Sequence, residues 1–414
     1  AFLRREGIEA VDWWDATFQN PDGFEQILQE TQPRMVGFYG HTITRAMTAK
    51  LVQSCRGRII AGGPDPVQAL EAYFEMGVEV VVLGEGEQTL LALVRHLQQN
   101  SWEWNWETLG NIQGIAFFRE GKIIRTPARP LIRPLDSLPW PHRSHRDLEA
   151  YFRAWKERHG KTALSMNTSR GCPYRCSWCS KQVYGDTFRR RSVAGVVQEM
   201  KYLQKTWAPD ELWFVDDMFT LNRNWVLDFC REVNKQGVEI PFYLIGRAET
   251  LDDTLLRALK QAGCYRIYLS AERGSQKVLD AMEKGTDLAE IYRAGEALHR
   301  HQIELGIFVM LGYPSENRQD VVATLRMIRR LQPNVTLVSV AHPMKGTRFY
   351  QEVQAEITGI QNGRHTFRMP YSSAFYELAQ RLIWTEEGIR KKEGIHFLKS
   401  AATWPLYRAM LEVI

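Results

Sequence analysis

Long hydrophobic runs are missing from this chain. No apolar stretch approaches the roughly 18 residues a membrane span needs. The first residues, Ala1-Phe2-Leu3-Arg4-Arg5-Glu6, do not form a signal peptide. Together these absences predict a cytoplasmic protein with no membrane span. An excess of one charge is also missing. The 53 basic and 48 acidic residues leave a formal charge of +5 over 414 residues, and no block of five or six like charges occurs. That favours a solvated mixed surface and gives no support to a nucleic-acid partner. Low-complexity tracts and repeats of solenoid length are absent too. Cysteine is sparse, six residues in all, and three of the six fall within eight positions. Clustering of that kind in a long chain expected to be cytoplasmic points to metal, not to a disulfide framework. Cys55, Cys230 and Cys264 stand alone in helix- or strand-like segments and read as small buried hydrophobes.

A chain of this length is too long for one compact core, and two or three domains are expected. Residues 1–100 alternate short apolar strands with helical patterns. Met35–Tyr39, Arg58–Ala61 and Val78–Leu83 read as strands, the last two closed by Gly62-Gly63-Pro64 and Gly84-Glu85-Gly86. Strands alternating with helices predict a doubly wound, flavodoxin-like or Rossmann-like parallel sheet. The chain begins with Ala1 and its first residues read as the late part of a helix, which predicts a lost upstream stretch and a missing first strand.

Residues 101–159 read as a connecting region. Ile115–Phe118 and Ile123-Ile124 form a small hairpin about Glu120-Gly121, and Pro127, Pro130, Pro134, Pro139 and Pro141 mark an extended linker. Trp102, Trp104 and Trp106 alternate here and are expected to pack the linker onto a domain. From 160 to 345 the alternation returns, with strands at 164–168, 211–215, 242–245, 265–269, 305–311 and 335–340 and helical crossovers between them. Right-handed crossovers curl six such strands into an incomplete (β/α)6 TIM-like barrel. Residues 346–414 lose the rhythm and read as a mostly helical tail rich in aromatics, among them Phe367, Tyr371, Phe375, Tyr376, Trp384, Phe397, Trp404 and Tyr407.

The clustered cysteines lie in Gly171-Cys172-Pro173-Tyr174-Arg175-Cys176-Ser177-Trp178-Cys179, with spacing C-x3-C-x2-C. Zinc sites commonly present cysteine pairs and fill four positions. Here three thiolates are close together and no fourth Cys or His follows at matching spacing. His142, His145 and His159 precede the motif in linker or polar sequence. Soft thiolates suit iron–sulfur chemistry. Three ligands to a four-iron cube leave one iron open to another molecule, to which it passes an electron. A structural zinc loop with a distant fourth ligand is the competing reading. The motif closes the first barrel strand, on the face where barrels carry their chemistry.

Over roughly 160–345 the chain resembles the radical S-adenosylmethionine (SAM) superfamily, whose cluster loop has the form C-x3-C-x-aromatic-C. The resemblance implies a 4Fe–4S cluster on Cys172, Cys176 and Cys179, with Trp178 near the adenine of SAM. It places Asp216 and Asp217, in Phe214-Val215-Asp216-Asp217, at the methionyl amino group and Arg247 at the carboxylate. Ser270-Ala271-Glu272-Arg273-Gly274-Ser275 is similar to the family's G-x-E-S-G-S turn and implies contacts from Glu272 and Ser275. Gly312-Tyr313-Pro314-Ser315-Glu316 resembles its G-x-P-G-E turn, with Ser315 replacing a glycine. Upstream, Gly62-Gly63-Pro64 and Gly84-Glu85-Gly86 resemble the cobalamin-binding domain of the cobalamin-dependent branch, as does the linker Leu135–Pro141. The D-x-H-x-x-G loop of other cobalamin proteins, whose His ligates cobalt, is absent, and His41 reads as a solvent-facing loop residue.

What the resemblance implies is a cobalamin-dependent radical SAM methyltransferase acting on an unactivated carbon. Its substrate would be a small molecule, with an apolar or natural-product intermediate fitting the aromatic tail. Its electrons would come from a donor such as flavodoxin or ferredoxin. The alternatives are an oxidoreductase or cyclase of the same branch that transfers no methyl group, a methylthiotransferase, and a non-enzymatic metal-binding module. A methylthiotransferase would carry a second cysteine triad upstream, where this chain has only Cys55.

Overall fold

The structure is a computed structural model and describes residues 1–391 apart from Asn20, Gln182 and Asn362. Phe397, Trp404 and Tyr407 of the aromatic tail lie outside the described residues. Two sheets dominate. The first has five strands in sequence order: β1 (Met35–Tyr39), β2 (Arg58–Gly62), β3 (Val80–Val82), β4 (Ile115–Arg119) and β5 (Lys122–Arg125). The first three are parallel, as the alternation with helices predicts, and β4 joins β3 antiparallel.

The hairpin expected in the connecting region is therefore the far side of this sheet. Val80, Val81 and Val82 are at most 6% exposed, and left as an edge they would offer an apolar strand with unpaired backbone. The hairpin covers that edge with Ile115, Ala116 and Phe117, all buried. Trp104 packs into the same core with Leu93, Leu97 and Leu109, and Trp102 and Trp106 pack against it, as expected of the three alternating tryptophans.

The second sheet has six parallel strands: β6 (Ala163–Met166), β9 (Glu211–Phe214), β10 (Phe242–Gly246), β11 (Cys264–Glu272), β12 (Glu304–Leu311) and β13 (Val335–Val340), each paired with the next in that order. A short antiparallel ribbon, β7 (Ser169–Arg170) with β8 (Arg189–Arg190), intervenes after β6. Helices connect the six strands, and most begin at a side-chain cap. Ser192, Asn222 and Asp252 accept from amides in the first turn, and Asp287 and Asn317 form reciprocal capping boxes with Glu290 and Asp320. This is the curled, incomplete barrel read from the sequence. Its core runs from Leu164 to Ile383, with Cys230 and Cys264 buried in it, and Cys55 packs partly buried in the first sheet.

The linker holds one helix that the sequence reading missed, His145–His159. Ser144 caps its start, and Gly160, at φ +73°, ends it. The C-terminal region is helical at Arg348–Glu352 and Ser373–Lys391, with an antiparallel hairpin between, β14 (Ile357–Gln361) and β15 (Arg364–Phe367). Phe375 and Tyr376 are buried in the barrel core, whereas Trp384 is half exposed. Among the described residues no helix is long and apolar enough to cross a membrane.

Candidate cluster and cofactor site

The cysteine loop fills the space between the two ribbon strands, at the C-terminal end of β6. Gly171 opens it at φ +84°, and a Cβ there would lie 2.1 Å from the Thr187 carbonyl, so no other residue fits. Asp216 holds the approach to the loop from behind. It is 1% exposed and accepts from the Thr168 amide (2.8 Å), the Thr168 hydroxyl (3.1 Å), and the Ser169 amide and hydroxyl. Burial pushes its carboxyl upward against the pull of Arg190 and these donors. Arg190 itself stacks 3.8 Å from the Trp225 ring.

Three contacts hold the loop from the barrel side. Ser177 is buried, its amide donates to the Met282 carbonyl (3.0 Å), and its hydroxyl meets Tyr313 Oη at 2.8 Å. Tyr174 lies under the Arg247 guanidinium at 3.8 Å. Trp178 faces Lys284 Nζ at 5.3 Å, and Lys284, itself buried, reaches Glu272 at 3.3 Å. Glu272 sits at φ +55°, a left-handed conformation costing a non-glycine residue on the order of 1 kcal/mol or more.

The three thiols are therefore presented by one fixed loop. Cys172 is buried, Cys176 half-buried and Cys179 exposed, and none forms a disulfide. Desolvation by the surrounding loop, then Cys176 and Cys172, push the Cys179 thiol up to about 11. Burial raises Cys172 as well. Thiols that resist ionising beside one another call for a cationic partner, which an iron–sulfur core supplies. Among the described residues no three ligand side chains converge as they would on a single ion. A zinc ion draws its thiolates to about 2.3 Å, whereas a cube takes one cysteine per iron and spaces them apart. The loop presents three cysteines on one fixed segment, the donor set that a three-cysteine cluster takes. A cavity of about 540 Å³ opens beside it, lined by Arg175, Cys176, Cys179, Lys181, Asp186 and Arg348 among others.

The other predicted residues divide. Asp217 is exposed and feels Cys172 and Cys179. Desolvation by the surrounding protein, then Asp216, raise its carboxyl, against Lys181. Arg247 is 2% exposed and spends its guanidinium on Glu249, the Lys284 and Gly285 carbonyls and the Thr286 hydroxyl. Ser275 donates to Asp320 at 2.6 Å. Lys284 is a residue the sequence reading missed; the only signal was its place in the turn after the helix that follows Glu272.

In the first sheet, Gly63 is at φ +109° and a Cβ there would lie 2.7 Å from the Gly40 carbonyl, so chain packing already requires it. Gly62 ends β2 and Pro64 starts the next helix. Gly84 is at φ +72°, facing the Val183 carbonyl of the cysteine loop, and Gly86 begins helix Gly86–Gln99. These strand ends remain open to a ligand: a Cβ on Gly62 would meet only Val82, at ordinary contact distance, and Tyr39 beside them is 69% exposed. His41 caps a short helical turn, its Nδ1 accepting from the Ile43 amide. The same edge faces the cysteine loop, where Gln68 donates to Ser180 at 3.2 Å.

Comparison with known proteins agrees with this geometry. Residues 166–328 match the Radical SAM superfamily. An uncharacterized methyltransferase of Pyrococcus horikoshii is 28% identical over 81% of this chain and 72% of its own length. The anaerobic magnesium-protoporphyrin IX monomethyl ester cyclase of Cereibacter sphaeroides is 28% identical over 71% of this chain, which spans about half of that relative (47%). The fold matches that of OxsB, a cobalamin-dependent SAM radical enzyme solved with aqua-cobalamin and SAM, with a TM-score of 0.78 at 17% identity over 99% of this chain and 68% of that one.

Proposed function

We propose that the chain is a cobalamin-dependent radical SAM methyltransferase acting on an unactivated carbon of a small molecule. The observation that carries this is the placement of one cysteine loop, held from both sides, opposite the strand ends of a second α/β sheet. A single-cofactor radical SAM enzyme has no need of that sheet. When bound, the reduced cluster supplies the electron that cleaves SAM to methionine and a 5′-deoxyadenosyl radical, and cobalamin supplies a methyl group.

The chain's own residues bind and orient. Cys172, Cys176 and Cys179 would hold the cluster. Asp217, close enough to the cysteines to act on their charge, would bind the methionyl ammonium. Lys284 offers its charge on the Trp178 side of the site, where the adenine would lie, and Glu272 would be the polar contact beyond. Asp216 and Arg247 act through the loop: the first fixes Thr168 and Ser169, the second supports Tyr174. Gly62, Gly63, Pro64, Gly84 and Gly86 form the edge that would hold the corrinoid. The tail segment around Phe367 and Tyr371 closes the substrate side. An acidic flavodoxin or ferredoxin in the cytoplasm delivers the electron.

The cyclase relative favours a second reading, oxidation or ring formation without methyl transfer. Product mass separates the two. A gain of one methylene unit supports methyl transfer, and an unchanged carbon count removes it.

A further inference from the structure

We propose that Glu85 is a positioning residue: one buried carboxylate locks the ligand edge of the first sheet to the base of the cysteine loop and so sets the separation of the two cofactor sites. The inference rests on the reading above that both cofactors bind.

Glu85 follows β3 and precedes helix Gly86–Gln99. Its carboxylate accepts from Arg170 Nη1 at 2.7 Å, from Arg189 Nη1 at 2.9 Å to each oxygen, and from the Ile132 amide at 2.7 Å. The same Arg189 nitrogen donates to the Ile132 carbonyl at 2.9 Å. Arg170 and Arg189 are cross-strand partners in the ribbon that closes the cysteine loop, and Arg170 stands two residues before Cys172. Three segments far apart in sequence therefore meet on one side chain: the strand-end turn, the linker and the loop's base.

The side chains of Glu85 and Arg189 are 4% and 2% exposed. Burial alone would raise the Glu85 carboxyl; Arg170, the Ile132 amide and Arg189 overrule it and hold it below the usual range. Buried ion pairs of this kind add little net stability but tolerate few geometries, and their best-attested use is to fix register. Arg170 also pairs with Glu87 at 2.5 Å, so a second, more exposed carboxylate backs the first. A further polar contact at this boundary, Gln68 with Ser180, is neutral.

The test uses the full chain reconstituted anaerobically with iron, sulfide and hydroxocobalamin. Two partial reactions are followed. In one, reduced cluster plus SAM gives methionine and 5′-deoxyadenosine. In the other, cob(I)alamin made with titanium(III) citrate takes the methyl group of SAM as a cation equivalent, giving methylcobalamin and S-adenosylhomocysteine. E85Q should slow methylcobalamin formation on the order of tenfold or more while 5′-deoxyadenosine release stays within about threefold. It should also broaden the distance between reduced cluster and cob(II)alamin in dipolar electron paramagnetic resonance. In the cofactor-free chain, it should raise deuterium uptake at residues 84–87 and 168–172. Should E85Q fold poorly, E85Q/R189Q, which removes the paired charges together, must show the same split. An unchanged distance distribution, or a parallel fall of both reactions with iron content, overturns the proposal. Failure of the wild type itself to bind corrinoid overturns the proposed function as well, and shows before any variant is made.

Discussion

The barrel and the first sheet reach a ligand in different ways. In the barrel the chemistry sits in one contiguous motif. Cys172, Cys176 and Cys179 lie within eight residues, and residues around them, Asp216, Ser177 and Arg247, hold the loop by hydrogen bonds and stacking. In the first sheet the carboxylates near the ligand edge, Asp65 and Glu85, serve packing and docking. Its ligand edge consists of turns whose glycines are partly committed to the chain's own packing, as at Gly63 against Gly40. One region is specific by donor atoms, the other by shape and placement. The second therefore depends on how it is docked to the first.

The largest effect that could break this comparison is at the cysteines. C172A, C176A or C179A should each abolish 5′-deoxyadenosine formation and lower bound iron, measured by chemical analysis, while corrinoid binding persists. Loss of corrinoid as well would mean that the two regions are not separable. A smaller effect follows at Asp65, the buried carboxylate of the first sheet, which accepts from Arg45 at 2.7 Å, Tyr73 at 3.0 Å and Thr42 at 3.0 Å. D65N should cost about 2–3 kcal/mol of that sheet's stability in denaturant titration, with cluster content unchanged.

The same residue gives a pH dependence. Burial raises its carboxyl, and Arg45 more than offsets this and holds it below its ordinary value of 3.8. Its contribution is then complete above that value and is lost as the pH falls below it, so the difference between wild type and D65N should shrink in acid. A difference that grows in acid would contradict the assignment.

In the barrel, D216N should cost about 1–3 kcal/mol, because an amide leaves the four donors of Thr168 and Ser169 only one acceptor oxygen. It should also lower the cluster yield, which D65N should not. The smallest effect is expected at Ser177. S177A should cost about 1 kcal/mol and leave iron content near wild type.

How much of this was legible in the sequence follows the same division. β1 was read at its observed limits, and all six barrel strands were found in order, because buried parallel strands are continuous apolar runs closed by polar turns. The cysteine loop was legible because its spacing is local. The hairpin was found, but its membership of the first sheet was not, since pairing to Val80–Val82 is a non-local fact. Helix His145–His159 was missed because its charged surface weakens the periodic signal, although Ser144, Asp147 and Gly160 carried the cap pattern. Glu85 was seen only as a residue between two glycines. Its partners lie 85 and 104 positions away, and no spacing rule joins charges at that distance. Lys284 was missed for a related reason: a lysine in a turn is unremarkable until burial puts it between Trp178 and Glu272.

The most direct test of the central claim is metal and sulfide analysis of the anaerobically reconstituted chain, with electron paramagnetic resonance of the reduced sample before and after SAM is added. The account predicts about four irons and four sulfides per chain, a reduced-cluster signal that SAM perturbs, and 5′-deoxyadenosine in the product. One zinc per chain, with no visible iron–sulfur absorbance and no SAM cleavage, would contradict it.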